Sequence, residues 1–518
     1  MAARPQPKAA GDTTEFTQPE ILSIISGLML AMFLAGLDQT IVATSLSTMA
    51  RDLQGWQLMS WVVSGYLIAS TTVTPIYGRL SDLYGRRPIL LTSIGLFVGA
   101  SVLCALSQTM PELIAARVLQ GIGGGGLRSV SQAVIADVVA PRERGRYQGY
   151  FSSMFAISSI LGPILGGLFA DDLTWHWIFW INVPLGLAAF ALSNRTLKRL
   201  RLPDKKPVID WLGALLILLA TTPLLIGVGN VEQVSDLISA GVIGPLVIGL
   251  VFVVGLILRE RVAPEPMLPL RLFGNSIFSC ACILSLSMSM VMIGLTILVP
   301  LNYELVGGLA PDLAGARLIP MTGGTVAGSF LAGQLLTRTG RYRIFPIIGT
   351  SVMTLACLAI AYVGLGHSLG FDIVATGILG ASFGFQLAPI IVPVQNALAA
   401  RDTGIGLSCV MFFRLIGGAF GVSLLSTVLV AGLNTAASAV PGHELLGPLP
   451  GLALFHLDQA SGHLTPQLVD ALARALPPAF SRIFLVAALV SLPAVVAALC
   501  IKEIPLRGRE TEAAALAE

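Results

Sequence analysis

The chain has 518 residues, of which 55% are hydrophobic and 11% charged, with a formal net charge of +3 and a mean hydropathy of +0.83. A soluble domain carries about 25% charged residues, so a water-soluble globule of this length is excluded. The composition is that of an integral membrane protein, and the small net charge gives no reason to expect a nucleic-acid partner.

Residues 1–20 combine Pro, Thr and mixed charge without the basic region, apolar core and cleavage site of a leader, and read as a disordered cytoplasmic tail. A membrane-crossing helix needs about 20 mainly apolar residues. On that rule fourteen spans follow, at 21–43, 57–77, 88–107, 112–138, 148–170, 177–195, 210–229, 237–258, 277–301, 312–335, 343–364, 370–396, 404–431 and 480–501. With the N-terminus inside, 24 of the 31 Lys and Arg fall in inside segments and three in outside ones. That bias supports fourteen spans with both termini cytoplasmic.

The expected fold class is an all-α integral membrane protein of two six-helix bundles with an inserted central helix pair. The first bundle covers 21–197. A basic linker, resting on anionic lipid head groups, and helices seven and eight fill 198–276. The second bundle covers 277–502 and includes a long outside loop, 432–479, with a short amphipathic helix expected at 466–476. Residues 503–518 form a cytoplasmic tail. His443, His456 and His463 read as scattered side chains of a solvated loop, and no metal site is expected. The six cysteines lie in apolar runs and read as free thiols.

The plan is organised around Gly78-Arg79-Leu80-Ser81-Asp82-Leu83-Tyr84-Gly85-Arg86-Arg87, a charged patch so short that the helices it joins must be antiparallel. Its skeleton returns at 333–341 with the same Gly-to-Gly spacing, but Thr337 stands where Asp82 stood. A patch after the second span of each six is the signature of a transporter built from two equivalent halves.

Asp38 lies about 25 Å along the first span at 1.5 Å per residue, where a carboxylate is costly and commonly functional. Arg117, about a turn into the fourth span, is its expected partner at similar depth. Arg128 follows eleven residues later, on nearly the same helix face. It reads either as a substrate or coupling contact or as a partner for another helix. Glu304 and Arg317 either pair, or Glu304 takes part in substrate or proton capture. Arg414 is the central positive group of the second half. One clear deep acid, Asp38, thus stands against Arg117, Arg128, Arg317 and Arg414. This leans the expected substrates towards neutral, zwitterionic or anionic amphiphiles.

Six stretches in order resemble one family. They are Leu37-Asp38-Gln39-Thr40-Ile41-Val42, the Gly78–Arg87 loop, Arg117-Val118-Leu119-Gln120-Gly121-Ile122-Gly123, Gly162-Pro163-Ile164-Leu165-Gly166-Gly167, Trp175-His176-Trp177-Ile178-Phe179-Trp180-Ile181-Asn182-Val183-Pro184, and Phe413-Arg414-Leu415-Ile416-Gly417-Gly418. Together they resemble the major facilitator superfamily, in its fourteen-span drug:proton antiporter, or multidrug exporter, branch. The resemblance covers nearly all of 21–430. Two departures are Ser158, where that family usually has Gly, and Arg128, where an apolar residue is common.

The resemblance implies that Asp38 and Arg117 couple protonation to transport, against the bland reading of a fixed structural ion pair. It places Gln120 with the substrate cavity. It implies an intracellular gate of Gly78, Asp82, Gly85, Arg86 and Asp137, with Arg86 paired to Asp137 and Asp82 facing the start of the thirteenth span. It makes Gly162, Pro163, Gly166 and Gly167 a tightly packed, bendable seal. The function implied is proton-driven export of small hydrophobic or amphiphilic compounds by alternating access in a bacterial cytoplasmic membrane. Two alternatives are a proton-coupled transporter dedicated to one metabolite, and a polytopic sensor or membrane enzyme without transport. No catalytic residue or cofactor is expected beyond the proton motive force. The expected partners are the substrate, protons and lipids, with oligomeric state and any envelope partner left open.

Overall fold

Apolar segments in a bilayer must satisfy their own backbone groups, and the helix does this within one segment. Every regular element among the described residues is helical. The computed structural model describes residues 17–55, 58–139, 143–200, 210–230, 239–263, 266–309, 311–366, 368–399, 402–437 and 466–505.

Six long helices open the chain: α1 Gln18–Thr44, α2 Met59–Tyr84, α3 Arg86–Leu106, α4 Met110–Val138, α5 Arg144–Asp172 and α6 Asn182–Thr196. An antiparallel pair follows, α7 Trp211–Gly229 and α8 Ala240–Glu260. The last six are α9 Ser276–Leu305, α10 Ile319–Thr339, α11 Ile344–Val363, α12 Leu369–Ala397, α13 Thr403–Ala437 and α14 Pro466–Cys500. Their starts carry ordinary caps. Thr109 and Glu112 form a capping box on α4, Asp210 accepts from the Gly213 amide on α7, and Asn275 accepts from Ile277 on α9.

Ten helices among the described residues are long and apolar enough to cross a membrane. The others, α2, α4, α5 and α10, are as long but rich in Gly, Ser, Thr and Arg. These four carry most of the close packing described below, which explains their lower apolarity.

Two expectations change at the C-terminal end. Residues 466–479 are not a separate amphipathic helix followed by a span. Pro466–Cys500 is one continuous helix with Pro477 and Pro478 inside it. A proline inside a membrane helix is tolerated where neighbours compensate the lost bond. Residues 432–437 continue α13 rather than starting the loop. The three loop histidines, most of the 1–20 and 503–518 tails, and part of the 198–210 linker lie outside the described residues.

The buried apolar side chains separate by half. One cluster spans 272–501, and two others lie within 21–200. The halves meet where α2 packs on α13 and α5 on α10, while α7 pairs with α8 and lies against both α2 and α13. The two related loops share a backbone device: Gly85 has φ +92° and Gly340 has φ +68°, turns that a side chain disfavours.

Candidate functional site

We call the end of the molecule bearing the Gly78–Arg87 loop the loop end. Asp38 on α1 and Arg117 on α4 meet far from it, with 0% and 1% of their surface exposed. Arg117 Nη1 donates to Asp38 Oδ2 at 2.7 Å. The other carboxylate oxygen accepts from Gln120 Nε2 and from Asn182 Nδ2 on α6, each at 2.8 Å. Gln120 Oε1 accepts from Arg117 at 2.6 Å, and its amide also donates to Ser101 on α3 at 2.7 Å. The Arg117 guanidinium lies 4.4 Å from the centre of the Tyr66 ring and donates to the Val62 carbonyl at 3.2 Å. Five helices therefore converge on one carboxylate with one cation. Protonation of such an acid removes the charge that holds the guanidinium and leaves hydrogen bonds in its place.

Arg128 Nη2 donates to Gln39 Oε1 at 2.6 Å, so it bonds a neutral side chain one residue from Asp38. Arg414 on α13 is partly buried, and among the described residues it forms no hydrogen bond or ion pair. It lies close enough to Arg128 to feel its charge.

Glu304 and Arg317 do not pair. Arg317 Nη1 instead meets Asp372 Oδ2 at 3.1 Å. Asp372 sits in the first turn of α12, where both its oxygens also accept from the Gly366 amide at 3.1 and 3.2 Å. The φ of +95° at Gly366 turns the chain back onto the carboxylate, and Arg317 lies 5.2 Å over the Tyr303 ring. Glu304 forms no ion pair among the described residues. Asp372 is thus a buried acid at a helix end, and it offsets Arg317, which lies in the turn between the short helix Pro311–Ala316 and α10 rather than within the expected span 312–335.

At the loop end, Arg86 Nε meets Asp137 Oδ2 at 2.8 Å, and Arg86 Nη1 meets Asp82 Oδ1 at 2.5 Å. Asp82 Oδ2 accepts from the Ile405 amide at 2.9 Å, in the first turn of α13. A carboxylate is favoured there by the unpaired amides and the helix dipole. Gly78 packs so closely on Ser408 and on the Gly404 carbonyl that a methyl group would overlap them. Gln395 Nε2 reaches the Gln132 carbonyl at 3.5 Å, and Gly149 faces Phe330. These contacts between the halves all lie towards the loop end, which is closed.

Gly162 on α5 lies against Thr40 on α1, leaving no room for a methyl group. Thr40 Oγ1 donates to the Ser158 carbonyl at 2.9 Å, and Ser45 Oγ to the Gly166 carbonyl at 3.0 Å. Pro163 and Gly167 lie in the same helix. At the far end, Trp175 Nε1 donates to Asp52 at 2.9 Å and His176 stacks on Trp175 at 3.8 Å. Burial lowers the His176 imidazole pKa, with Asp52 opposing.

Sequence reasoning missed Asn182, Ser101, Gln39, Asp372 and Gly404. Asn182 had a visible signal, since it is the lone amide in the apolar run 177–191. The others are ordinary in sequence and become significant only by position.

The family description Major Facilitator Superfamily matches residues 28–422. The chain is 34% identical to an uncharacterized MFS-type transporter of Mycobacterium tuberculosis over 486 residues, covering 93% of this chain and 70% of the relative. It is 32% identical to Multidrug resistance protein 3 of Bacillus subtilis over 435 residues, covering 83% and 85%. Among solved structures, the human organic anion transporter of the same superfamily superposes with a TM-score of 0.61 at 15% identity, covering 92% of this chain and 100% of that one. At that identity the likeness speaks for the fold alone.

Proposed function

Because the chain belongs to the major facilitator superfamily, a family of membrane transporters rather than enzymes, we propose that it exports small hydrophobic or amphiphilic compounds in exchange for protons. The observation that carries this reading is the fully buried Asp38–Arg117 pair, tied by Gln120 and Asn182 to two further helices, α3 and α6. Taking a proton on Asp38 weakens its hold on Arg117, and that change biases the packing of α1, α3, α4 and α6 together. The export direction and the breadth of substrates draw on relatives named as a multidrug resistance protein, a multidrug transporter and an efflux pump.

In this reading fourteen helices span a bacterial cytoplasmic membrane, and the basic loop end with both termini faces the cytoplasm. Asp82, fixed by Arg86 beside Asp137, accepts from Ile405 of the other half and holds that end shut, so the described conformer faces outward. Release of those contacts opens the cavity inward, and the halves rock about it. The proton motive force drives the cycle.

The test uses the purified chain in proteoliposomes with a pH-sensitive dye inside and an imposed pH gradient. Several chemically unlike amphiphiles should each trigger proton flux, and Asp38→Asn should abolish it. Flux triggered by one compound alone points to a dedicated metabolite transporter. Flux that persists in Asp38→Asn overturns the coupling role.

A further inference from the structure

Of the four arginines weighed above, two are answered by an acid and two, among the described residues, are not. Asp38 offsets Arg117 and Asp372 offsets Arg317. Arg128 bonds only a neutral carboxamide among its described partners, and Arg414 has no partner among the described residues. These two come from opposite halves and lie at matching depth. Arg128 is ten residues from the loop end of α4 and Arg414 eleven residues from that of α13, about 15 Å in at 1.5 Å per residue. The helices that carry them, α4 and α13, pack against each other, and the charge of Arg128 bears on Arg414.

Like charges facing each other away from bulk water repel, and the repulsion grows as the dielectric falls. A cationic amphiphile entering this space adds a third positive charge. An anion relieves both guanidinium groups at once, and a guanidinium fork binds a carboxylate or sulfonate through parallel hydrogen bonds. We propose that the central site takes amphiphiles bearing one acidic group, a carboxylate or sulfonate, with that group held between Arg128 and Arg414.

The inference rests on the export reading and adds a link to it. An anion that engages Arg128 competes with Gln39 for the same guanidinium. Gln39 follows Asp38 on α1, so substrate binding acts on the helix turn that carries the proton site.

The probes are 1-pyrenebutyrate, 1-pyrenebutanol and 1-pyrenebutyl-trimethylammonium, which share one apolar body. Binding to the full chain in nanodiscs is read by energy transfer from tryptophan, net of protein-free discs. Proton exchange is read in dye-loaded proteoliposomes. The wild-type chain should bind the butyrate about tenfold or more tightly than the ammonium compound, a gap of about 1.4 kcal/mol. Arg414→Gln and Arg128→Gln should each erase most of that gap while leaving the alcohol unchanged, and Arg414→Lys should retain part of it.

Equal or tighter binding of the ammonium compound by the wild type overturns the proposal. A preference that survives both glutamine variants overturns it as well. Proton exchange driven by the ammonium compound and the alcohol, with no preference for the anion, removes this inference and leaves the export reading standing. Absence of binding and exchange with all three, from folded protein, removes both.

Discussion

Gln120 touches both members of the central ion pair, donating to Asp38 at 2.8 Å and accepting from Arg117 at 2.6 Å. The acid and the base can separate only if this amide gives up one of them or turns with one of them. It makes the pair a three-body contact, and Asn182 completes the shell from another helix.

Gln120→Leu should therefore weaken the protein as well as the transport cycle. It removes a donor from Asp38 and an acceptor from Arg117, and underpaired buried groups cost about 1–3 kcal/mol each. The melting temperature in detergent should fall, and substrate-driven proton flux should drop at least severalfold. An unchanged melting temperature would contradict the buried geometry.

Gly404→Ala should open the loop end. A methyl group there overlaps Asp82 Oδ1 and Arg86 Nη1, and crowding of this kind costs about 1–3 kcal/mol, enough to shift a two-state balance on the order of 30-fold. The readout is maleimide labelling of Ser408→Cys, a position buried beside Gly78 in the closed form. Labelling should rise severalfold over the Ser408→Cys parent.

Arg86→Lys tests the same closure by chemistry rather than bulk. A guanidinium reaches Asp137 through Nε and Asp82 through Nη1, and a single ammonium cannot reproduce that fork. Labelling at Ser408→Cys should again increase, with transport lost. Full activity in Arg86→Lys would show that charge alone suffices.

Gly162→Ala should force α1 and α5 apart, because the added carbon overlaps Thr40 at both Oγ1 and Cβ. Adding Thr40→Ala removes the hydroxyl but not the Cβ, so it should restore stability and transport in part. Complete rescue by the double change would place the collision on the hydroxyl alone.

Asp372→Asn should destabilise without uncoupling. It leaves Arg317 unpaired, but that side chain is 29% exposed, so the cost should fall below the ~3–5 kcal/mol of a fully buried pair. The expected result is a lower melting temperature with proton flux per substrate unchanged. Loss of coupling in folded protein would make Asp372 part of the proton pathway.

The helices were legible because apolar runs of bilayer length leave few alternatives, and the Asp38–Arg117 pair because two charges at equal depth must meet or be lost. Asp372 was hidden by its place. In sequence it reads as a charge at a helix end, and only the turn at Gly366 brings Arg317 and that carboxylate together. The merger of 466–476 with the last helix was hidden by Pro477 and Pro478, which signal a break in water and less so in packed membrane helices. Gly404 carried no signal at all, since its role depends on an acid more than 320 residues away.

The position of α7 against both α2 and α13 has a consequence for the route substrates take. The seam between those two helices is one of the two places where the halves part. With α7 laid along it, acyl chains and anything dissolved among them meet a wall there instead of a slot. Sideways traffic from the bilayer is thereby turned towards the opposite seam, between α5 and α10, which α7 does not cover.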